Sequence, residues 1–387
     1  MFNVKTYNAI SPLGLDKLTA EGYQVGEEVN EPDAIMLRSF KMHDVPVASS
    51  VKAIGRAGAG VNNIPVDAMS ERGVVVFNAP GANANAVKEL VIAGMLMACR
   101  NLIPAWSYTT ELSGSDEDVT KAVEAGKKKF AGFELPGKTL GVIGLGAIGA
   151  QVANAADSLG MNVIGFDPGI TVQSAWQLSS NVKQMDSADE LFREADFVSF
   201  HVPLIDATRN LLNTESLATM KDGSVILNFA REGIVDDSAV LAAIKAGKIH
   251  AYVNDFPSNE VKGHEGVFTL PHLGASTGEA EDNCAVMIAD QLKDFLNNGN
   301  IKNSVNFPNI KLGRQGENRL AISNSNSPDM LGKISHQLGE SGVNILHMAN
   351  ESRNELAYTL IDVESKPDDT TIDKIAAIDG VLSVRLI

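Results

Sequence analysis

The sequence predicts an α/β protein in three parts. A doubly wound parallel-sheet domain is inserted in a smaller α/β domain, and a βαββαβ module closes the chain. Three observations carry this. Short apolar runs alternate with helix-like patterns over residues 1–80 and again over 139–276. A glycine cluster, Gly144-Leu145-Gly146-Ala147-Ile148-Gly149, sits between two of those runs. From Glu317 the order of elements changes to β, α, β, β, α, β, the ferredoxin-like arrangement.

Length and composition bound the problem. With 387 residues, 44% hydrophobic and 21% charged, the chain should fold as two or three ordinary globular domains. A net charge of −16 with no Lys/Arg tract argues against nucleic acid and anionic membranes as partners. Cys99 and Cys284 are the only cysteines, so neither a disulfide framework nor zinc-ligand spacing is expected, which fits a reducing cytoplasm. The start, MFNVKTYNAI, lacks a basic region followed by an apolar one, so no secretory signal is expected.

In chain order, VKTYNAI, AIMLRSF, VKAIGRAG and VVVFNAP read as strands, with helices at LDKLTAEGY and VDAMSERG. Together they make a small, mainly parallel layer structure. Its turn at 55–63 exposes N–H groups that suit a carboxylate, and Arg56 adds fixed charge; a flexible turn with a solvated Arg is the alternative. Residues 84–101 form an Ala/Met/Leu-rich helix. Residues 115–129 are polar, end in Lys127-Lys128-Lys129, and read as a solvated face.

The stretch 139–167 carries the most specific signal. A buried strand over 139–143 leads into the glycine cluster, then an Ala-rich helix, then a second strand ending at Asp167. Gly144 permits a tight turn, Gly146 lets backbone approach a pyrophosphate, and Gly149 allows close helix–strand packing. The helix N-terminus favours phosphate. A carboxylate about 20 residues on accepts hydrogen bonds from a ribose and repels a 2′-phosphate, so NAD is favoured over NADP.

ADFVSFHVPL, GSVILNFA, IHAYVNDF and VFTLPHLG are four further strands, ending in His201-Val202-Pro203, Asn228 to Arg231, Asp255 and His272. Ligands of doubly wound sheets bind beyond such ends, so these tips should converge on one crevice. His272 could take a hydroxyl proton, Glu260 could hold that imidazole, and Arg231 could pair with a carboxylate and polarise the neighbouring oxygen. Residues 280–297 form a last helix that returns to the first domain. No cluster shows metal-ligand spacing.

NFAREGIVD at 228–236, DFPSNE at 255–260 and PHLGAST at 271–277, with the turn at 56–63 and FNAPG at 77–81, resemble the D-isomer-specific 2-hydroxyacid dehydrogenases. The resemblance covers nearly the whole chain. It implies a flavodoxin-like substrate domain (1–83 and 277–305), an NAD-binding Rossmann domain (84–276), a linker (306–316) and an ACT-like regulatory domain (317–387). It implies oxidation of a phosphorylated D-2-hydroxyacid with NAD, by Arg231, Glu260 and His272. Gly144, Gly146, Ala147, Ile148, Gly149, Asp167 and Pro168 would hold the adenosine and pyrophosphate end. His201, Val202, Pro203, Thr208, Phe229, Ala230, Arg231, Asp255, His272 and Gly274 would line the nicotinamide end.

The substrate's anionic groups would fall to Arg56, the amides of Ala59 and Gly60, and Asn78. A lysine of a partner subunit often neutralises phosphate in relatives, and Lys127 is the nearest match, with Lys128 and Lys129 competing. A homodimer or homotetramer is expected, with serine as an effector at the ACT-like domain. Some positions depart from the pattern. Glu232 follows Arg231 where Gly is usual, and Asn62 replaces Asp. Asn324 and Pro328-Asp329 stand where the effector loop usually carries His and Pro-Gly, although Asn326 and Asn344 are kept. Other readings are a dehydrogenase for an unphosphorylated acid of the 2-hydroxyglutarate or glyoxylate type, a non-catalytic NAD-sensing protein, and an amino-acid-gated regulator.

Overall fold

In the computed structural model, which describes residues 1–387, side-chain alternation along the strands decides how each sheet is covered. The chain divides into two units, Met1–Asn83 with Gly278–Ile387, and Ala84–Thr277.

In the first unit, β1 (Asn3–Tyr7), β2 (Gln24–Gly26), β3 (Ala34–Leu37), β4 (Ala53–Arg56) and β5 (Val75–Phe77) form a five-stranded parallel sheet in the order β2-β1-β3-β4-β5. Ala34, Met36, Ala53, Val75 and Phe77 face one cluster, and Ile35, Leu37, Ile54 and Val76 face the other. The first cluster includes Ile288, Leu292 and Phe295 of the long helix Gly278–Asn298. That helix lies so close to β4 that a Cβ on Gly55 would sit 2.3 Å from the Ile288 side chain. β2, a short edge strand, was not expected from the pattern.

In the second unit, β6 (Thr139–Ile143), β7 (Asn162–Phe166), β8 (Lys183–Gln184), β9 (Phe197–Phe200), β10 (Ser224–Asn228), β11 (Ile249–Asn254) and β12 (Val267–Thr269) form a seven-stranded parallel sheet ordered β12-β11-β10-β9-β6-β7-β8. Val225, Leu227, Ala251 and Val253 pack against a cluster holding the helix Ala84–Cys99, while Ile226, Tyr252, Val198 and Phe200 pack on the opposite cluster. Helices on both faces explain why the strand runs are apolar throughout rather than alternating with polar residues. The strand order reverses between β6 and β9, which is the topological switch point of a doubly wound sheet.

The remaining strands, β13 (Asn318–Ser325), β14 (Ile345–Arg353), β15 (Leu356–Val363) and β16 (Val381–Leu386), form an antiparallel sheet ordered β14-β15-β13-β16. Leu320, Ile322, Ile361 and Val363 pack on the helices Met330–Glu340 and Asp369–Ala376. Ala321, Tyr358 and Leu360 on the other face join the first cluster of the parallel sheet, so one core serves both sheets.

The segment between them, expected as a linker, is packed rather than solvated. Phe307 is fully buried, Asn306 accepts from the Val76 amide and donates to the Val74 carbonyl, and Ile301 bridges Ile310. Beyond it, the Arg319 guanidinium is fully buried against Asp362, with Nε and Nη2 donating at 2.6 and 2.9 Å, while Nη1 donates to the Asn298 and Leu312 carbonyls. Four bonds satisfy the cation in a dry setting, and Asp362 is held below the ordinary carboxylate range by Arg319 and the Gln315 amide, against the opposing effect of burial.

Removing one partner strands the other charge. Arg319→Met is therefore expected to lower stability by about 3–5 kcal/mol. The double change Arg319→Met with Asp362→Leu should recover much of that, as read from urea midpoints; equal losses in both would show that the pair is not the cause.

Candidate active site

The glycine turn at 144–149 follows from where carbon atoms do and do not fit. Gly144 has φ 88°, and a Cβ there would lie 2.6 Å from the His201 carbonyl oxygen. At Gly149 a Cβ would fall 1.9 Å from the Gly144 carbonyl oxygen, so the helix Ala147–Ser158 packs on β6 only because this position is bare. At Gly146 a Cβ would meet nothing within 4 Å, leaving open space above the turn. The first bond inside the helix runs from the Ala150 amide to Gly146, so the preceding amides remain to serve an anion.

Asp167 ends β7 with its side chain half-buried. Its two oxygens accept from the Leu145 amide at 2.8 Å and the Gly169 amide at 2.9 Å, which fixes the carboxylate beside the turn. Pro168 follows it and is exposed. These features fit a dinucleotide: an open glycine, undirected helix amides, and an aimed carboxylate with lone pairs to spare.

At the tip of β9, His201 is half-buried, and desolvation pushes its pKa down from 6.5 to about 3. The ring is neutral, with Nε2 2.9 Å from Ser199 Oγ and Nδ1 without a protein partner. Val202 lies against Gly144. Thr208 Oγ1 donates to the Pro203 carbonyl at 2.6 Å and accepts from the Ile205 amide, closing a tight loop. Phe229 and Ala230 are buried after β10, with the Phe229 ring 3.1 Å from where a Cβ on Gly94 would stand.

Arg231 and His272 both bear on Asp255. Asp255 is 1% exposed; burial raises its carboxyl pKa, opposed by His272, the Gly274 amide and Arg231. One Asp255 oxygen has no protein donor, and neither does the neighbouring Asn254 Nδ2 an acceptor. His272 is exposed and adopts the left-handed region at φ 51°, uncommon for a non-glycine residue. Its amide donates to the Asp255 and Leu270 carbonyls, and its ring stands edge-on to Phe256 at 5.2 Å. Arg231 is exposed, with Nη1 donating to the Ala230 carbonyl.

Glu260, expected to orient the imidazole, is exposed and makes no hydrogen bond; its charge, with that of Glu232, bears on Asp237, whose pKa is raised chiefly by burial. The groups holding His272 are thus Asp255 and Phe256. Reasoning from sequence passed over Ser199, Asn254 and Phe256 in these roles. Asn254 and Phe256 flank Asp255 and were reachable by the same strand-tip argument.

The first unit carries the other expected residues. Arg56, ending β4, donates from Nε to the Arg38 carbonyl, and its guanidinium fills the space beside Gly58. The Ala59 and Gly60 amides donate to no protein acceptor, while Asn78 Nδ2 donates to the Ala59 carbonyl at 2.6 Å and stiffens the turn. Lys127, in the second unit, is exposed and pairs with Glu124. In the antiparallel sheet Asn326 donates to the Asn354 carbonyl and Asn344 to Glu364. No helix is long and apolar enough to cross a membrane.

Residues 92–274 match the family described as D-isomer specific 2-hydroxyacid dehydrogenase, NAD binding domain. A D-3-phosphoglycerate dehydrogenase of Methanocaldococcus jannaschii is 38% identical over 373 residues, covering 93% of this chain and 66% of its own length. The Haemophilus influenzae protein of that name is 31% identical, with 96% of this chain and 90% of the relative covered. Shorter overlaps occur as well: the chain spans about half of the Archaeoglobus fulgidus relative, 53%. The crystal structure of NAD+-bound 3-phosphoglycerate dehydrogenase from Entamoeba histolytica superposes with a TM-score of 0.60 at 26% identity, over 79% of this chain and 98% of that one. The chain belongs to the D-isomer-specific 2-hydroxyacid dehydrogenases, and its doubly wound unit is their NAD-binding domain.

Two outcomes follow. Gly146→Ala should keep the melting temperature yet weaken NADH binding by about tenfold or more, whereas Gly149→Ala should lower the melting temperature itself. Fluorescence titration beside a thermal melt separates them. For His201, the unfolded chain takes up a proton near 6.5 and the folded chain only near 3. Between those values the unfolded state binds more protons, so this group makes stability fall as pH drops. His201→Gln should flatten melting temperature against pH across that window.

Proposed function

We propose that the chain is an NAD-dependent D-3-phosphoglycerate dehydrogenase, oxidising 3-phospho-D-glycerate to 3-phosphohydroxypyruvate, the entry step of serine synthesis. The observation that carries the reading is the shared action of Arg231 and His272 on one buried carboxylate, Asp255, at neighbouring strand ends. The relatives named for this activity support the choice of substrate.

When bound, NAD supplies the hydride acceptor. Gly144 to Gly149 and Asp167 hold its pyrophosphate and ribose. The unpartnered Asp255 oxygen and Asn254 Nδ2 offer an acceptor and a donor suited to a carboxamide. His272 takes the substrate hydroxyl proton as the hydride departs and returns it in the reverse direction. Arg231 pairs with the substrate carboxylate and steadies the adjacent oxygen when it carries negative charge. Arg56, the free amides of Ala59 and Gly60, and Asn78 recognise the anionic ends. Glu260 and Lys127 enter only through rearrangement: Glu260 has to swing toward the imidazole, and Lys127 has to leave Glu124 and act on a partner subunit's phosphate.

A homodimer or homotetramer in the cytoplasm is the setting we infer, closed symmetry being the general rule for such assemblies. Serine is the effector the ACT-like resemblance suggests, and a serine-dependent change in rate or melting temperature would register it.

An NADH-oxidation panel decides the substrate. Phosphohydroxypyruvate should exceed 2-oxoglutarate and glyoxylate in kcat/KM by at least about a hundredfold, roughly 2.7 kcal/mol. Arg56→Ala should erase that preference, and His272→Asn should lower kcat by about 100-fold or more with NADH binding intact. Near-normal turnover in His272→Asn, or equal rates across the panel, would sink the assignment.

A further inference from the structure

Within the first unit, away from the Arg56 turn, a cavity of about 240 Å³ lies where the antiparallel sheet meets the parallel one. Ser50, Lys52, Arg72, Tyr358, Ser383 and Arg385 are in its wall. Lys52 pairs with Asp33, but neither guanidinium has a carboxylate partner. Arg72 donates to the Val47 and Ala48 carbonyls at 3.1 and 2.8 Å. Arg385 lies over the Phe295 ring at 4.3 Å, and its Nη2 donates to the Phe295 and Leu296 carbonyls near the end of the long helix.

Capping that helix explains one side of Arg385 and leaves the other. Its Nη1 is buried with no protein acceptor, and the hydroxyl of Tyr358, a residue 2% exposed, likewise has no partner. Burial pushes the Tyr358 pKa up to about 12, so the hydroxyl keeps its proton as a donor. A buried donor left unpaired is destabilising, and here two such donors share a wall with a further cation. In a chain of net charge −16, three cations against the single carboxylate of Asp33 form an unusual local excess.

We propose that this cavity binds a small oxyanion of the phosphate type, held by Arg385 Nη1, the Tyr358 hydroxyl and Arg72. Its volume takes a free phosphate or the phosphoryl end of a small organic phosphate. Bound there, the anion bridges β16, which carries Arg385, to the start of β4, which follows Lys52 and ends at Arg56. It would thus fasten the antiparallel sheet to the strand that presents the Arg56 turn.

The test uses the full chain carrying Arg56→Ala, which weakens anion binding at that turn. Inorganic phosphate, against chloride at matched ionic strength, should give a saturable rise in melting temperature of about 2–4 °C. Arg72→Gln, an exposed position, and Tyr358→Phe, which keeps the ring, should each weaken phosphate binding at least tenfold by calorimetry. A parallel titration with 3-phosphoglycerate assigns the source: an equal response that depends on Arg72 points to an organic phosphate, and a response to inorganic phosphate alone points to the free ion. No rise over chloride, or a rise that both added substitutions leave intact, overturns the site. Failure of the substrate panel would not touch this result, since the assay needs no turnover.

Discussion

A carbonyl oxygen and an α-carbon too close for any side chain hold the nucleotide-binding unit in register. Because a Cβ at Gly149 would lie 1.9 Å from the Gly144 oxygen, the helix Ala147–Ser158 can rest directly on β6. That proximity presents the first helix amides beside the end of β7, where Asp167 takes the Leu145 amide. Gly144 in turn touches His201 and Val202, so the same close approach sets the start of the loop after β9. One steric exclusion therefore positions the Gly146 turn, the Asp167 carboxylate and the start of the loop after β9 together.

The tips of β10, β11 and β12 are organised differently, around a charge. Asp255 is buried where burial alone would neutralise it, and His272, the Gly274 amide and Arg231 oppose that tendency. Its carboxylate thus couples two exposed groups whose own hydrogen bonds are few. The strained φ of His272 belongs to the same arrangement: its amide reaches the Asp255 and Leu270 carbonyls, and Phe256 flanks its ring. Strain held in this way by main-chain bonds is common where a side chain must present itself to a ligand.

What the sequence made legible was whatever a single residue type or a short spacing expresses. The glycine turn, the doubly wound order and the residues at the strand ends all follow from local pattern. The packed segment from Asn300 to Leu312 did not, because its Asn-rich composition reads as loop. Asn306 instead acts as a surrogate backbone, bonding the Val74 carbonyl and Val76 amide and so making burial tolerable. The Arg319–Asp362 pair was equally hidden, since it depends on the register of two antiparallel strands, Arg319 opposite Asp362. Glu260 shows the converse: its place in a motif suggested a partner, yet the chain folds with its carboxylate in solvent.

In a strongly negative protein, anion recognition has to work at short range. At physiological salt the field of the whole molecule is screened within about 8 Å, so neither its repulsion nor any attraction reaches a ligand from afar. Backbone amides suit this requirement better than added lysines, because they bring partial positive charge without titrating and without flexible stems to immobilise. The Ala59 and Gly60 amides and the first turn of the helix after Gly146 are such groups, each placed by a glycine-rich turn. Three guanidinium groups are fixed in a comparable way: Arg56 is tied to the Arg38 carbonyl, Arg231 to Ala230 and Arg385 to the end of the long helix. Each is held by main-chain oxygens, which orient the cation.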